Sequence, residues 1–219
     1  MSKGNSKDTL ENSADGKVRS IEETLSLDQR VEIIKKSVEN IIYALGDDPK
    51  REGLLKTPQR YAKAILEILW GYFADPEDII GDAIFEQDYS GIVLVRHIKF
   101  FSMCEHHLLP FFGNCSIAYI PDGKIIGLSK LPRVVKFFAG RLQVQERLTE
   151  DIGKFIEKVL KPRGVAIYVS AYHLCLAMRG VKKEGVKMDT VFFSGKFQHD
   201  DNLKNFFLKQ IREDRKIEI

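Results

Sequence analysis

Cysteine thiolate and histidine imidazole are favoured zinc ligands. The chain places them in two local pairs, Cys104-x-x-His107 and His173-x-Cys175. A spacing of three lets one turn of chain point Cys104 and His107 the same way, and His106 must then diverge from its neighbour. A spacing of two in an extended strand projects His173 and Cys175 from one face. The pairs use two of the three cysteines and, with His106, three of the five histidines. Two pairs on two strand ends can converge on one metal. Spacing leaves open a closed structural site of Cys104, His107, His173 and Cys175, and a catalytic site in which three protein ligands leave one position open. It also leaves open Cys175 as a buried core thiol.

The elements that must position these residues follow from hydrophobic periodicity. Leu27, Val31, Ile34, Val38, Ile41 and Leu45 recur at spacings of four and three, which predicts an amphipathic helix ended by Gly46-Asp47-Asp48-Pro49. Thr57-Pro58 reads as an N-cap followed by proline in the first turn of a second helix over 59–72. The acidic stretch 74–90, interrupted by Pro76, predicts a loop with short helical pieces. Strands are expected over 91–103 and 112–121, an antiparallel pair closed before Pro121-Asp122-Gly123. Helices over 129–140 and 144–160 follow. Strands over 165–175 and 188–197 then lead to a closing helix over 202–212. Strand pairs with helices segregated between them indicate an α+β fold: an antiparallel sheet of two strand pairs with helices on one side, preceded by N-terminal helices. The expected organisation is a flexible tail at 1–26, a helical region at 27–90 and a catalytic domain at 91–219.

Bulk properties narrow the class. The 219 residues, 44% hydrophobic, suffice for one large domain with its own core. A balance of 34 basic against 31 acidic residues, net +3, gives no reason to expect a nucleic-acid or membrane partner. It leaves room for an anionic small molecule. Three cysteines argue against a disulfide framework and for a reducing compartment. With neither a long apolar run nor an apolar N-terminal signal core, the expected location is cytoplasmic.

Several motifs stand in order along the chain: Ser102-Met103-Cys104-Glu105-His106-His107-Leu108-Leu109-Pro110, Ile117-Ala118-Tyr119-Ile120-Pro121, Gly127-Leu128-Ser129-Lys130, Gln143-Val144-Gln145-Glu146-Arg147-Leu148-Thr149 and His173-Leu174-Cys175 with Met178-Arg179-Gly180. Together they resemble the GTP cyclohydrolase I family. Thr57-Pro58 with Arg60 fits as well, so the likeness runs from about Leu27 to Phe207. The resemblance implies zinc (Zn2+) held by Cys104, His107 and Cys175, with His173 as the acid/base group and His106 as its helper. It implies hydrolysis of GTP to formate and 7,8-dihydroneopterin triphosphate, opening pterin biosynthesis. It implies the tunnelling fold, in a homo-oligomer that is a decamer of two pentamers.

The resemblance also supplies a substrate set. Glu146, assisted by Gln145, is expected to read guanine, since a carboxylate can accept from N1–H and the exocyclic amine together. Lys130, Arg133, Arg179 and Arg60 are expected on the triphosphate, Arg60 from a neighbouring subunit, with Ser129 on the ribose or phosphate. Without the resemblance, Glu146 and each of these cations would read as a solvated surface charge, and Ser129 as a helix N-cap. Two features depart from the family. Cys115 reads as a core residue. The run Met188-Asp189-Thr190-Val191-Phe192-Phe193-Ser194-Gly195 lacks the family's Thr/Ser-rich pattern, Thr190 keeping part of it. That departure puts polar contacts from the last strand in doubt and motivates a competing reading, a binding or regulatory protein with a structural zinc and no turnover. A further competing reading is another tunnelling-fold enzyme acting on a pterin or purine.

Overall fold

A computed structural model describes residues 25–213. The expected tail at 1–26 therefore lies outside the described residues except for Leu25 and Ser26. The chain divides into two compact units, one ending at Leu66 and the other beginning at Glu67.

The first unit holds α1 (Leu27–Ala44) and most of α2 (Thr57–Ile68). The predicted stripe starts α1 behind a capping box: the Ser26 hydroxyl accepts from the Gln29 N–H, and the Gln29 side chain accepts from the Ser26 N–H. Thr57 is not the expected N-cap. It is the first residue of α2, and its hydroxyl donates to the Gly53 carbonyl.

The second unit continues through a 3-10 turn (Trp70–Tyr72), α3 (Pro76–Ile80), β1 (Ile84–Glu86), β2 (Val93–Cys104), β3 (Pro110–Ile120) and β4 (Lys124–Ile126). Then come α4 (Lys130–Ala139), β5 (Leu142–Gln143), α5 (Gln145–Leu160), β6 (Gly164–His173) and α6 (Leu174–Ala177). β7 (Lys187–Phe193), α7 (Lys196–His199) and α8 (Asp201–Glu213) complete it. The main sheet has the order β5-β2-β3-β6-β7, so the two expected strand pairs join through β3 and β6. The four long strands are antiparallel, and the two-residue β5 adds parallel to β2 at one edge. Short β1, within the stretch expected as a loop, pairs with β4 in a separate ribbon.

One face of the sheet carries the main core. Leu131, Val134, Val135 and Phe137 of α4 and Leu148, Ile152 and Ile156 of α5 pack with Phe111, Ile117, Tyr119, Ile167 and Val169 of the sheet. Each fully buried side chain of this kind contributes about 1.5–3 kcal/mol relative to exposure. Gly153 lets α5 approach β7 closely, because a Cβ there would collide with the Phe192 ring. The alternate residues Ala118, Ile120 and Ala166 face the other way and pack with Phe197, Phe207 and Ile211 of α7 and α8. The helices between the strands thus lie on one face as expected, and the C-terminal helices amend that picture by covering part of the other.

Three local departures bear on the site. A bulge between Val95 and Ile98 shifts the register of β2, with His97 at φ 57°. Before it Val93 and Val95 face the main core, and after it Ile98, Phe100 and Cys104 do. One extra residue thus sets the face on which Cys104 emerges. β6 ends at His173 and not at Cys175, because its partner strand starts at Pro110, which has no N–H to continue the ladder. β7 ends at Phe193, short of the expected 197: Gly195 turns the chain at φ 53°, where a Cβ would collide with the Arg163 carbonyl. Among the described residues no helix is long and apolar enough to cross a membrane.

Candidate metal centre

Cys104 closes β2 with only 5% of its surface exposed. Its N–H donates to the Leu109 carbonyl at 2.9 Å, and the Leu108 N–H returns to the Cys104 carbonyl at 2.9 Å, with Leu108 in the left-handed region at φ 52°. This tight turn brings His107 back beside Cys104, with Nδ1 3.9 Å from Sγ. The turn is also fastened from outside. The Glu105 N–H donates to the Gln143 carbonyl of β5 at 3.1 Å. Arg147, in the first turn of α5, donates to the Glu105 carboxylate, to the Leu142 carbonyl at 3.2 Å and to Gln143 Oε1 at 2.9 Å.

Because β6 ends at His173, Cys175 sits in the helical turn α6 and not on a strand. The two residues therefore part, where the spacing of two predicted a shared face. Cys175 joins Cys104 and His107, and their ligand atoms all lie within 4.8 Å of one another. Two thiols and one imidazole form a zinc-type donor set with three protein ligands. Burial pushes the Cys175 thiol up, and the neighbouring Cys104 pushes it further; Arg179 acts against them. A divalent cation between the sulfurs would reverse that balance and favour thiolate.

His173 lies outside this group of three. Its ring stacks on Phe111, its register partner on β3, with centroids 4.6 Å apart and planes 3° from parallel. Its Nε2 meets Gln145 Oε1 at 2.8 Å. Burial lowers the His173 pKa from the ordinary histidine value, and the Glu146 charge opposes this. Glu146 itself is exposed, whereas Gln145 is 1% exposed. The Gln145 amide nitrogen donates to the Val169 carbonyl at 3.1 Å, the Met188 carbonyl at 2.8 Å and Thr190 Oγ1 at 3.2 Å. His106 is exposed in the turn, its Nε2 3.9 Å from Glu105 Oε1 and its ring edge-on to His107.

The remaining candidates are peripheral and mostly exposed. Ser129 precedes α4 and makes no capping hydrogen bond. Lys130 donates to the Ile79 carbonyl at 2.9 Å. Lys130 and Arg133 are three apart on α4 and share a helix face. Arg133 and Arg179 are exposed, and Arg60 is exposed on α2 in the first unit. Cys115 is fully buried, and burial pushes its thiol far above the ordinary range, consistent with a core residue. Sequence reasoning missed Phe111, Glu105, Thr149, Thr190 and Arg147 as neighbours of the centre. The Arg147 contact with Glu105 joins residues 42 apart, and no local pattern signals it.

A family model described as GTP cyclohydrolase I matches residues 34–212. GTP cyclohydrolase 1 of Chlorobium phaeovibrioides is 50% identical over 182 residues, covering 83% of this chain and 82% of that one. The protein of the same name from Chlorobaculum tepidum is 50% identical, covering 80% and 78%. That from Porphyromonas gingivalis is 52% identical, covering 76% and 86%.

Proposed function

The chain belongs to the GTP cyclohydrolase I family and is a GTP cyclohydrolase of pterin and folate biosynthesis with an α+β tunnelling fold, and on that premise we propose how its own residues carry the reaction. The proposed products are formate and 7,8-dihydroneopterin triphosphate. Zinc is the proposed metal, held by Cys104, His107 and Cys175; when bound it supplies Lewis-acid activation of the water that attacks carbon 8 of guanine.

Glu146 accepts from the guanine N1–H and exocyclic amine, which selects guanine over adenine. Gln145, expected to assist it, is buried behind this pocket with its side-chain oxygen on His173 Nε2. Lys130, Arg133, Arg179 and Arg60 neutralise the triphosphate, the arginines through paired N–H donors, and Ser129 adds a hydroxyl. His173 gives a proton to the imidazole ring nitrogen as carbon 8 becomes tetrahedral, and takes one back when the ring opens. Imidazole can carry or accept a proton near neutral pH, which suits both steps; burial lowers the His173 pKa and the Glu146 charge opposes this. His106, exposed in the ligand turn, assists. The observation that carries this reading is the separation of two roles within one site: three ligand atoms within 4.8 Å, and His173 bound to Gln145 instead.

The proposed assembly is a homo-oligomer, a decamer of two pentamers, with Arg60 reaching a neighbour's site. Phe101, Phe112 and Tyr172 support it. They are register neighbours across β2, β3 and β6, and Phe101 is 74% exposed. Such an apolar row suits a subunit contact. Three free cysteines suit a reducing, cytoplasmic compartment.

Zinc-replete, oligomeric protein incubated with GTP should yield a pterin that fluoresces after oxidation. Absence of that pterin would contradict the proposal, and clearly higher turnover of another nucleotide would contradict GTP as the substrate.

A further inference from the structure

We propose that Gln145 is a positioning residue that fixes the tautomer of His173, and that Thr190 and Thr149 hold Gln145 in place for this task. The inference deepens the functional reading above, since it takes His173 as the acid/base group.

The hydrogen bonds determine the orientation of the Gln145 amide. One terminal atom lies 3.1 Å from the Val169 carbonyl and 2.8 Å from the Met188 carbonyl. Carbonyl oxygens only accept, so that atom is the nitrogen. The other terminal atom is then the oxygen, and it faces His173 Nε2 at 2.8 Å. An amide oxygen only accepts, so His173 Nε2 must carry a hydrogen. In neutral His173 the proton-accepting nitrogen is therefore Nδ1. Stacking on Phe111 fixes the plane of the ring, and Gln145 fixes its rotation within that plane.

The threonines complete the chain. The Thr149 hydroxyl donates to the Gln145 carbonyl at 2.8 Å. Thr149 and Thr190 hydroxyl oxygens are 2.6 Å apart. With the Thr149 proton committed to the carbonyl, the Thr190 hydroxyl donates to Thr149 and its oxygen accepts from the Gln145 amide at 3.2 Å. Thr190 is the register partner of Val169, so the chain ties α5 to both β6 and β7. The polar contact that the altered 188–195 run put in doubt is present at Thr190. A Gln145 that is 1% exposed, with its oxygen on His173 and its nitrogen on three acceptors, acts on guanine only through His173.

The test is Gln145→Met in zinc-loaded full-length protein, read three ways: steady-state kinetics with GTP, zinc content, and nitrogen-15 histidine spectra, with the His173 signal assigned through His173→Asn. Wild type should show the Nε2–H tautomer. The variant should lose it, with kcat down about 10- to 100-fold as for other groups that orient a working side chain, KM for GTP within about twofold and zinc unchanged. A raised KM with an unchanged tautomer would show that Gln145 reads the base and overturn the proposal, and so would an unchanged kcat. Should Gln145→Met fail to assemble, Thr190→Val keeps the glutamine and removes one of its acceptors. It should lower kcat less, again without raising KM, and a His173 spectrum and kcat identical to wild type there would overturn the proposal. The wild-type tautomer is readable without turnover, so a protein inactive on GTP would sink the functional reading while the Nε2–H signal still decides this one.

Discussion

The two halves of the site are built in opposite ways. The half assigned to chemistry is wired by the chain itself. Cys104, His107 and Cys175 converge within 4.8 Å, Arg147 fastens their turn, and His173 is held between Phe111 and Gln145. The half proposed for the triphosphate offers Arg133 and Arg179, exposed side chains on separate elements, with Lys130 at its edge. Metal ligation and proton transfer demand fixed distances and angles, which burial and hydrogen bonds provide. A triphosphate is a diffuse, mobile charge that long flexible cations can gather as it arrives. The contrast predicts that changes in the wired half act on metal and kcat, and changes in the open half on KM.

The largest effect is expected at the ligands. Cys175→Ser should lower zinc from about one ion per chain to near none by elemental analysis, and should abolish pterin formation. Next comes His173→Ala, with kcat reduced about 10²- to 10⁴-fold and zinc retained. Zinc loss in that variant would return His173 to the ligand set and erase the division of roles. Arg147→Ala, which frees Glu105 and the ligand turn, should weaken zinc binding about 10- to 100-fold in chelator competition. In the open half, Arg179→Ala or Arg133→Ala should raise the KM for GTP about tenfold, with little change in kcat, as loss of one charge-assisted hydrogen bond would do. A fall in kcat alone would blur the comparison. The smallest effect on function is expected at Cys115→Ala. Zinc and turnover should be those of wild type, with a stability loss of about 1–2 kcal/mol in denaturant melts for a small core truncation.

Much of this arrangement is legible in the sequence for physical reasons. The stripe of α1 and the helical spacing of Leu148, Ile152, Phe155 and Val159 announce helices because each buries one face. The strand pairs are visible as β-branched and aromatic runs between turn residues. The Cys104–His107 pair is legible because a turn makes spacing of three into proximity. The His173–Cys175 pair misleads, because alternation presumes a strand that Pro110 stops from the opposite side of the ladder. The bulge at Val95–Ile98 is equally hidden. It inverts the phase of β2 without a glycine to mark it, using His97 at positive φ. The place of Gln145 depends on residues 24, 28, 43 and 45 positions away. A short window sees there only a polar residue at a helix start.

The central claim, a metal held by three ligands with His173 beside it and not on it, is tested most directly by X-ray absorption at the zinc edge of the loaded wild-type protein. The account predicts two sulfur ligands at about 2.3 Å and a single imidazole nitrogen at about 2.0–2.1 Å, with the same spectrum of protein ligands in His173→Ala. Two imidazoles in the wild type, one of them lost on replacing His173, would contradict it.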